Sequence, residues 1–215
     1  MTNQPRIACE PAATVAPAAH LQGQSKAQLR QQLLALRAGL TAEARQARDA
    51  AIGYSLQAWL HAHPVALLGV YWPIRAEPDL RLVYAALTAA GVRLALPVMT
   101  SAGLPLQFAA WMPGQALVFD RWDIATPQSI ELVRPQALLI PCIGFTPQRH
   151  RLGYGGGFYD RTLAQQPRPL AIGIAGADTR VDFAADAFDV AMDVMITEAR
   201  PVAAAARSPS WQPPD

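Results

Sequence analysis

Apolar positions along this 215-residue chain switch repeatedly between a helical and a strand period. Ser25 and Gln28 stand at the spacing of a capping box, and Leu29, Leu33, Leu36 and Leu40 follow as a helical stripe. Thr41 is placed to cap a second helix running to about Leu60. Residues 65–71 form an apolar run of strand length. Asp79 then precedes a helical stretch over 80–90, and Gly91 stands where a helix stops. Residues 92–98 read as a strand, 106–111 alternate as a half-buried strand, and 137–140 form a short buried strand closed by Pro141. A helix over 158–165 and strands over 170–175 and 194–197 complete the set. This alternation predicts an α/β fold, a single layered domain with a mostly parallel sheet flanked by helices. Such sheets take ligands at the carboxyl ends of their strands. The segments 71–79 and 144–160 each follow a strand, so both belong at that edge.

Composition narrows the class. With 52% hydrophobic and 16% charged residues the chain reads as globular, and its length suits one domain, placed at residues 24–200. The net charge of +2 is small and its cations are scattered, which argues against a nucleic-acid partner and suits an anionic small molecule equally well. No run approaches the roughly 18 apolar residues of a spanning helix, so no membrane partner is expected. Residues 1–23 lack a basic start followed by an apolar stretch and read as a disordered extension, and 201–215 read as a disordered tail. Cys9 and Cys142 lie in very different surroundings, which argues against a disulfide framework and for a reducing cytoplasm. His61, His63 and His150 show no metal-ligand spacing and are expected at the surface. Nothing in the pattern sets the oligomeric state, and a monomer is favoured.

The densest chemistry lies between Arg151 and Arg161, in Arg-Leu-Gly-Tyr-Gly-Gly-Gly-Phe-Tyr-Asp-Arg. Gly153, Gly155, Gly156 and Gly157 free the backbone to approach a ligand at an entropic cost that asks for a reason. Backbone N–H groups, bracketing cations and one carboxylate suit a nucleotide phosphate. A plain flexible turn is the alternative. The segment is not a Walker A loop, because no Gly-Lys-Ser/Thr follows. It also fails as a dinucleotide fingerprint, since Phe158 stands at the third glycine position.

With Pro141-Cys-Ile-Gly-Phe-Thr-Pro before it, this segment resembles the signature of the 5-formyltetrahydrofolate cyclo-ligase family. Three further segments match in order: Ser25-Lys26-Ala-Gln-Leu-Arg30, Val70-Tyr71-Trp72-Pro73 with Glu77-Pro-Asp79, and Phe188-Asp189-Val-Ala-Met-Asp193-Val. The resemblance implies an enzyme that uses ATP to phosphorylate the formyl oxygen of 5-formyltetrahydrofolate. Attack by the neighbouring folate nitrogen then gives 5,10-methenyltetrahydrofolate, with ADP and phosphate released. A non-catalytic nucleotide- or folate-binding relative is the alternative.

The resemblance also assigns roles. Lys26, Arg30, Arg151, Leu152, Gly153, Tyr154, Gly155, Gly156, Gly157, Phe158 and Tyr159 belong at ATP. Trp72, Glu77, Tyr154, Phe158 and Tyr159 belong at the folate, and Tyr159 and Arg151 are the candidate catalytic groups. Read as residues alone, Lys26 and Arg30 share one helix face and equally suit a solvated basic surface. Asp160 and Asp193 are the candidate Mg2+ ligands, with Asp189 competing for the second place; helix-start and turn charges are their plainer readings. Arg161 is either a phosphate cation or a helix-surface residue. Tyr71 and Trp111 are expected in the core. Many members carry a Lys where this chain has Gly156, which removes one point charge from the phosphate side.

Overall fold

The computed structural model describes residues 23–120, 124–199 and 202–203. The first two helices start where their caps predict. In α1 (Lys26–Ala38) the Ser25 hydroxyl accepts from the Gln28 N–H at 3.3 Å while the Gln28 side chain accepts from the Ser25 N–H at 2.9 Å. In α2 (Ala42–Ala62) the Thr41 hydroxyl accepts from the Ala44 N–H. The expected leucine stripe of α1 is corrected at its third and fourth members, and Leu40 lies past the Gly39 C-cap, outside the helix. The buried positions are Leu29, Leu33 and Arg37, spaced by four, whereas Leu36 is 54% exposed.

The remaining elements are β1 (Leu67–Gly69), α3 (Arg81–Ala89), β2 (Arg93–Val98), β3 (Gln107–Trp111), β4 (Leu117–Phe119), β5 (Ala125–Pro127), β6 (Leu132–Val133), β7 (Ala137–Pro141), β8 (Gly144–Phe145), β9 (Arg151–Leu152), α4 (Phe158–Leu163), β10 (Leu170–Ile174), β11 (Val194–Ile196) and β12 (Val202–Ala203). An eight-stranded sheet runs β12-β11-β10-β7-β1-β2-β3-β6. Its centre, β11-β10-β7-β1-β2, is parallel, and antiparallel strands close both edges. The mostly parallel α/β sheet is thus as expected. The edge strand β12 falls within the stretch read as a disordered tail; the rest of that tail and all but Gly23 of the N-terminal extension lie outside the described residues.

Alternation sorts the side chains of this sheet between two cores. Leu68, Leu94, Leu96, Leu139, Ile172 and Ile174 face α2 and α3, where Ile52, Leu56, Val83 and Tyr84 meet them. Leu67, Ala95, Leu138, Ile140, Ala171 and Met195 face the other way, toward Leu163 of α4. Full burial of a leucine contributes about 1.5–3 kcal/mol, so these two layers dominate the fold's stability. β3 departs from the half-buried reading: Trp111 joins the first core and Phe108 the second, so both its faces are covered. Tyr71 and Trp111 lie in the core, as expected.

Helix α1 does not lie on either sheet face. Leu29 and Leu33 pack with Ile143, Leu152 and Val181, over the β8–β9 hairpin that leaves the carboxyl end of β7. The chain steps from β1 to β2 on one side and to β7 on the other, so the switch point lies between β1 and β7. Segments leaving these two strands flank a crevice there, and α1 covers it.

Candidate active site

Glu77 reaches this crevice on a loop that leaves β1. Arg75 and Ala76 both adopt left-handed backbone (φ 47° and 55°), a region costly for residues with a Cβ. The turn they make lets Glu77 fold back, and its Oε2 accepts from the Ile74 N–H at 3.0 Å. Glu77 as a whole is 3% exposed. Tyr154, from the glycine segment, donates its hydroxyl to Glu77 Oε1 at 3.0 Å. Two segments 77 residues apart in sequence therefore meet through one hydrogen bond. Burial pushes the Glu77 carboxyl up to about 7, against the opposing pull of the Ile74 and Tyr154 hydrogen bonds and of the Arg37 and Arg75 charges. Burial likewise pushes the Tyr154 and Tyr159 hydroxyls upward, so both stay protonated at neutral pH.

Aromatic rings of the neighbouring segments carry cations on their faces. The Arg75 guanidinium lies 5.3 Å over the Tyr154 ring. Trp72 meets Trp111 edge-on at 6.0 Å and carries Arg81 5.1 Å over its face. Phe158 and Tyr159 are partly buried and pack on the α4-facing core.

The glycine segment is tied to α1 and to α4. Arg30 Nε donates to the Gly153 carbonyl at 2.7 Å. Arg151 pairs with Asp160 at 2.9 Å and lies 5.4 Å over the Tyr159 ring. A Cβ at Gly153 would overlap the Arg151 guanidinium, so the missing side chain is what lets Arg151 reach Asp160. Gly155 and Gly157 are left-handed (φ 93° and 64°), with Gly156 between them outside that region. Such alternation turns successive N–H groups toward one side. Leu152 contributes backbone alone, because its side chain is buried against Leu29 and Leu33. Arg161 donates to the Gly156 carbonyl at 2.7 Å and stacks on Phe158.

The acids divide. Asp160 also receives the Val190 N–H, at 3.5 Å, so the segment carrying Asp189 comes to its side. Asp189 and Asp186 each hold Lys26 Nζ at 2.6 Å. Burial lowers the Lys26 pKa and the two carboxylates raise it; the carboxylates prevail. Asp193 is engaged at the amino ends of β10 and β11. One oxygen pairs with Arg168 at 3.0 Å and the other accepts the Ala171 N–H at 2.7 Å. No cluster of three or more His, Cys, Asp or Glu able to hold a metal occurs among the described residues. Magnesium, which takes one or two carboxylates with phosphate oxygens and waters, asks for less than that, and Asp160 fits it as a single carboxylate.

Two residues at this site carried no role in the sequence reading. Arg37 is 4% exposed and donates to the Cys142 carbonyl at 2.5 Å and to the Tyr154 hydroxyl at 3.5 Å. The spacing of four from Leu29 and Leu33 is the signal that finds it. Arg75 carries no local signal, since its place over Tyr154 depends on a contact between distant segments. His61 and His63 lie at the surface as expected, and His150 is half-buried. Cys142 is a buried free thiol, pushed by burial up to about 12.

Fold and contacts together define an open α/β protein in which segments leaving the strands on both sides of the switch point meet, Tyr154 to Glu77. The sequence pattern of the 5-formyltetrahydrofolate cyclo-ligase family matches residues 22–198, and the chain belongs to that family of enzymes. Among its relatives, a 5-formyltetrahydrofolate cyclo-ligase of Mycoplasma pneumoniae is 30% identical over 176 residues, covering 79% of this chain and 96% of the relative. One of Mycolicibacterium smegmatis is 30% identical over 193 residues, covering 84% and 97%. A solved 5,10-methenyltetrahydrofolate synthetase of Mycoplasma pneumoniae superposes with a TM-score of 0.69 at 27% identity, covering 82% of this chain and 100% of that one. The corresponding Aquifex aeolicus structure has a TM-score of 0.74 at 23% identity, covering 87% and 96%, and supports the fold alone. No helix among the described residues is long and apolar enough to cross a membrane.

Proposed function

We propose that this protein closes the ring of 5-formyltetrahydrofolate with ATP, giving 5,10-methenyltetrahydrofolate, ADP and phosphate. Family membership and the names of its relatives support the reaction class. The observation that carries the reading is the Tyr154–Glu77 hydrogen bond, which joins a buried carboxylate to a glycine-rich phosphate segment in one crevice. The two substrates then meet across Tyr154, Phe158 and Tyr159.

A formyl oxygen is a poor leaving group. Transfer of the terminal phosphoryl of ATP to that oxygen converts it into a phosphate ester. The neighbouring folate nitrogen attacks the formyl carbon and loses its proton, and the carbon–oxygen bond breaks as phosphate departs. Positioning and charge neutralisation carry such a phosphoryl transfer. Lys26, Arg30 and Arg151 supply cations, and N–H groups from Gly153 through Gly157 supply donors. Glu77 accepts from the pterin N–H groups, and Trp72 covers the ring. Tyr159, beside Arg151, lines the junction where the phosphoryl passes. Mg2+, when bound, would neutralise phosphate charge, with Asp160 as one ligand and Asp189, whose segment comes to its side, as the other. Asp193, held by Arg168 and Ala171 at the opposite strand ends, is not available to it. On this reading the partners are small molecules and the compartment is the cytoplasm, with a monomer favoured.

The test is turnover of purified protein with 5-formyltetrahydrofolate, ATP and magnesium, read as methenyl absorbance and as ADP released in equal amount. Product without ATP, or folate binding with no product under any metal condition, overturns the reading.

A further inference from the structure

Arg37 is a buried cation that belongs to none of the ion pairs among the described residues. Its partners are two neutral oxygens, the Cys142 carbonyl and the Tyr154 hydroxyl. A buried guanidinium with no carboxylate beside it is costly, so its position asks for a reason. Beyond the Tyr154 hydroxyl lies Glu77.

The chemistry of the three groups gives this chain one polarity. A guanidinium only donates, and a phenol has one proton to give. Arg37 Nη1 faces the acceptor side of the Tyr154 oxygen, which commits the phenolic proton to Glu77 Oε1. Glu77 Oε2 accepts from the Ile74 N–H. Both carboxyl oxygens therefore accept, as an ionised carboxylate does. Arg37 also grips the Cys142 carbonyl just beyond β7, so its guanidinium is fixed relative to the strand that builds the crevice.

We infer that Arg37 is a positioning residue which, through Tyr154, holds Glu77 ionised and aimed at the ring donors of the folate. This rests on the folate reading for what Glu77 binds, but not for the coupling itself. The groups facing Glu77 are Arg37 of α1, Arg75 of its own loop, Tyr154 and Tyr159 of the glycine segment, Tyr71 beyond β1, Tyr84 of α3 and Cys142 beyond β7. The tyrosines and the cysteine are neutral near pH 7, so Arg37 and Arg75 are the charges that favour its ionised form.

The test is a carbon-13 NMR titration of the Glu77 carboxyl in wild type, Arg37→Met, Arg37→Lys and Tyr154→Phe, which needs no substrate. In Arg37→Met the midpoint rises by about one pH unit, the scale of losing one nearby charge. Tyr154→Phe moves it the same way and Arg37→Lys largely restores it. In turnover, the acid limb of kcat/KM for the folate moves to higher pH in Arg37→Met while KM for ATP holds. If Arg37→Met is not folded, Tyr154→Phe decides. An unchanged Glu77 midpoint in the folded variants overturns the inference. Absent turnover in wild type overturns the folate reading and leaves the titration standing.

Discussion

Around Glu77, charge is buried and forms no ion pair among the described residues; Arg37 reaches it through the neutral Tyr154 hydroxyl and Arg75 lies over the same residue's ring. Around the glycine segment, the cations already touch carboxylates: Lys26 holds Asp186 and Asp189, and Arg151 holds Asp160. The first region has a carboxylate raised to about 7 by burial; in the second, the Lys26 pair holds Asp189 below its ordinary range despite burial. On the proposed reading, the difference teaches how one site serves two ligands. A site preformed for ring donors keeps an acceptor ready at a cost to stability. A site for a highly charged ligand keeps its cations internally neutralised until phosphate exchanges with the carboxylates.

The sharpest way to break this comparison is Asp160→Asn. Loss of the carboxylate should lower turnover about 10²–10³-fold, on the scale of removing one oriented transition-state charge partner, while folate affinity stays near wild type. Steady-state kinetics with a folate-binding titration checks it, and equal turnover would remove Asp160 from the phosphate side.

Glu77→Gln tests the other region with opposite signs for function and stability. Folate KM should rise about tenfold, the equivalent of one lost charge-assisted hydrogen bond, with ATP affinity little changed. The stability effect follows from the raised carboxyl. Folding favours its protonated form, so its destabilisation is absent below the ordinary value of 4.5 and complete above about 7. The variant should gain up to about 3 kcal/mol over wild type at pH 8 and nothing at pH 4. Urea unfolding at the two pH values measures this, and a gain independent of pH contradicts it.

Lys26→Met gives the smallest effect on the fold. Its partner Asp186 is largely exposed, so that pair contributes about 1 kcal/mol or less, and the loss falls mainly on the less exposed Asp189 pair. ATP KM should nevertheless rise, and it should rise less at high salt, where the lost charge is screened. A larger change in folate KM than in ATP KM would place Lys26 in the wrong half.

Much of this was legible in the sequence, because it was local. Cap spacing set the starts of α1 and α2, and apolar runs located the parallel strands. The glycine segment stood out by composition. The short strands β4, β5, β6, β8, β9 and β12 escaped, since two or three residues show no period and their pairing partners lie elsewhere in the chain. Arg37 escaped because a charged residue reads as surface, although the spacing of four continues through it. Asp193 read as one of a pair with Asp160, yet its oxygens hold Arg168 and the start of β10.

The sequence by itself therefore determined the layered α/β class, the helix starts and the segments that carry the chemistry. Those depend on propensity, capping and periodicity, which act over a few residues. Tertiary structure alone decided which of those segments meet. Bringing Glu77 to Tyr154, and burying Arg37 beneath them, depends on the strand order that puts β1 beside β7 and on the packing of α1 over that edge. The raised carboxyl of Glu77 belongs to the same level, because desolvation is a property of everything packed around a group and of no residue alone.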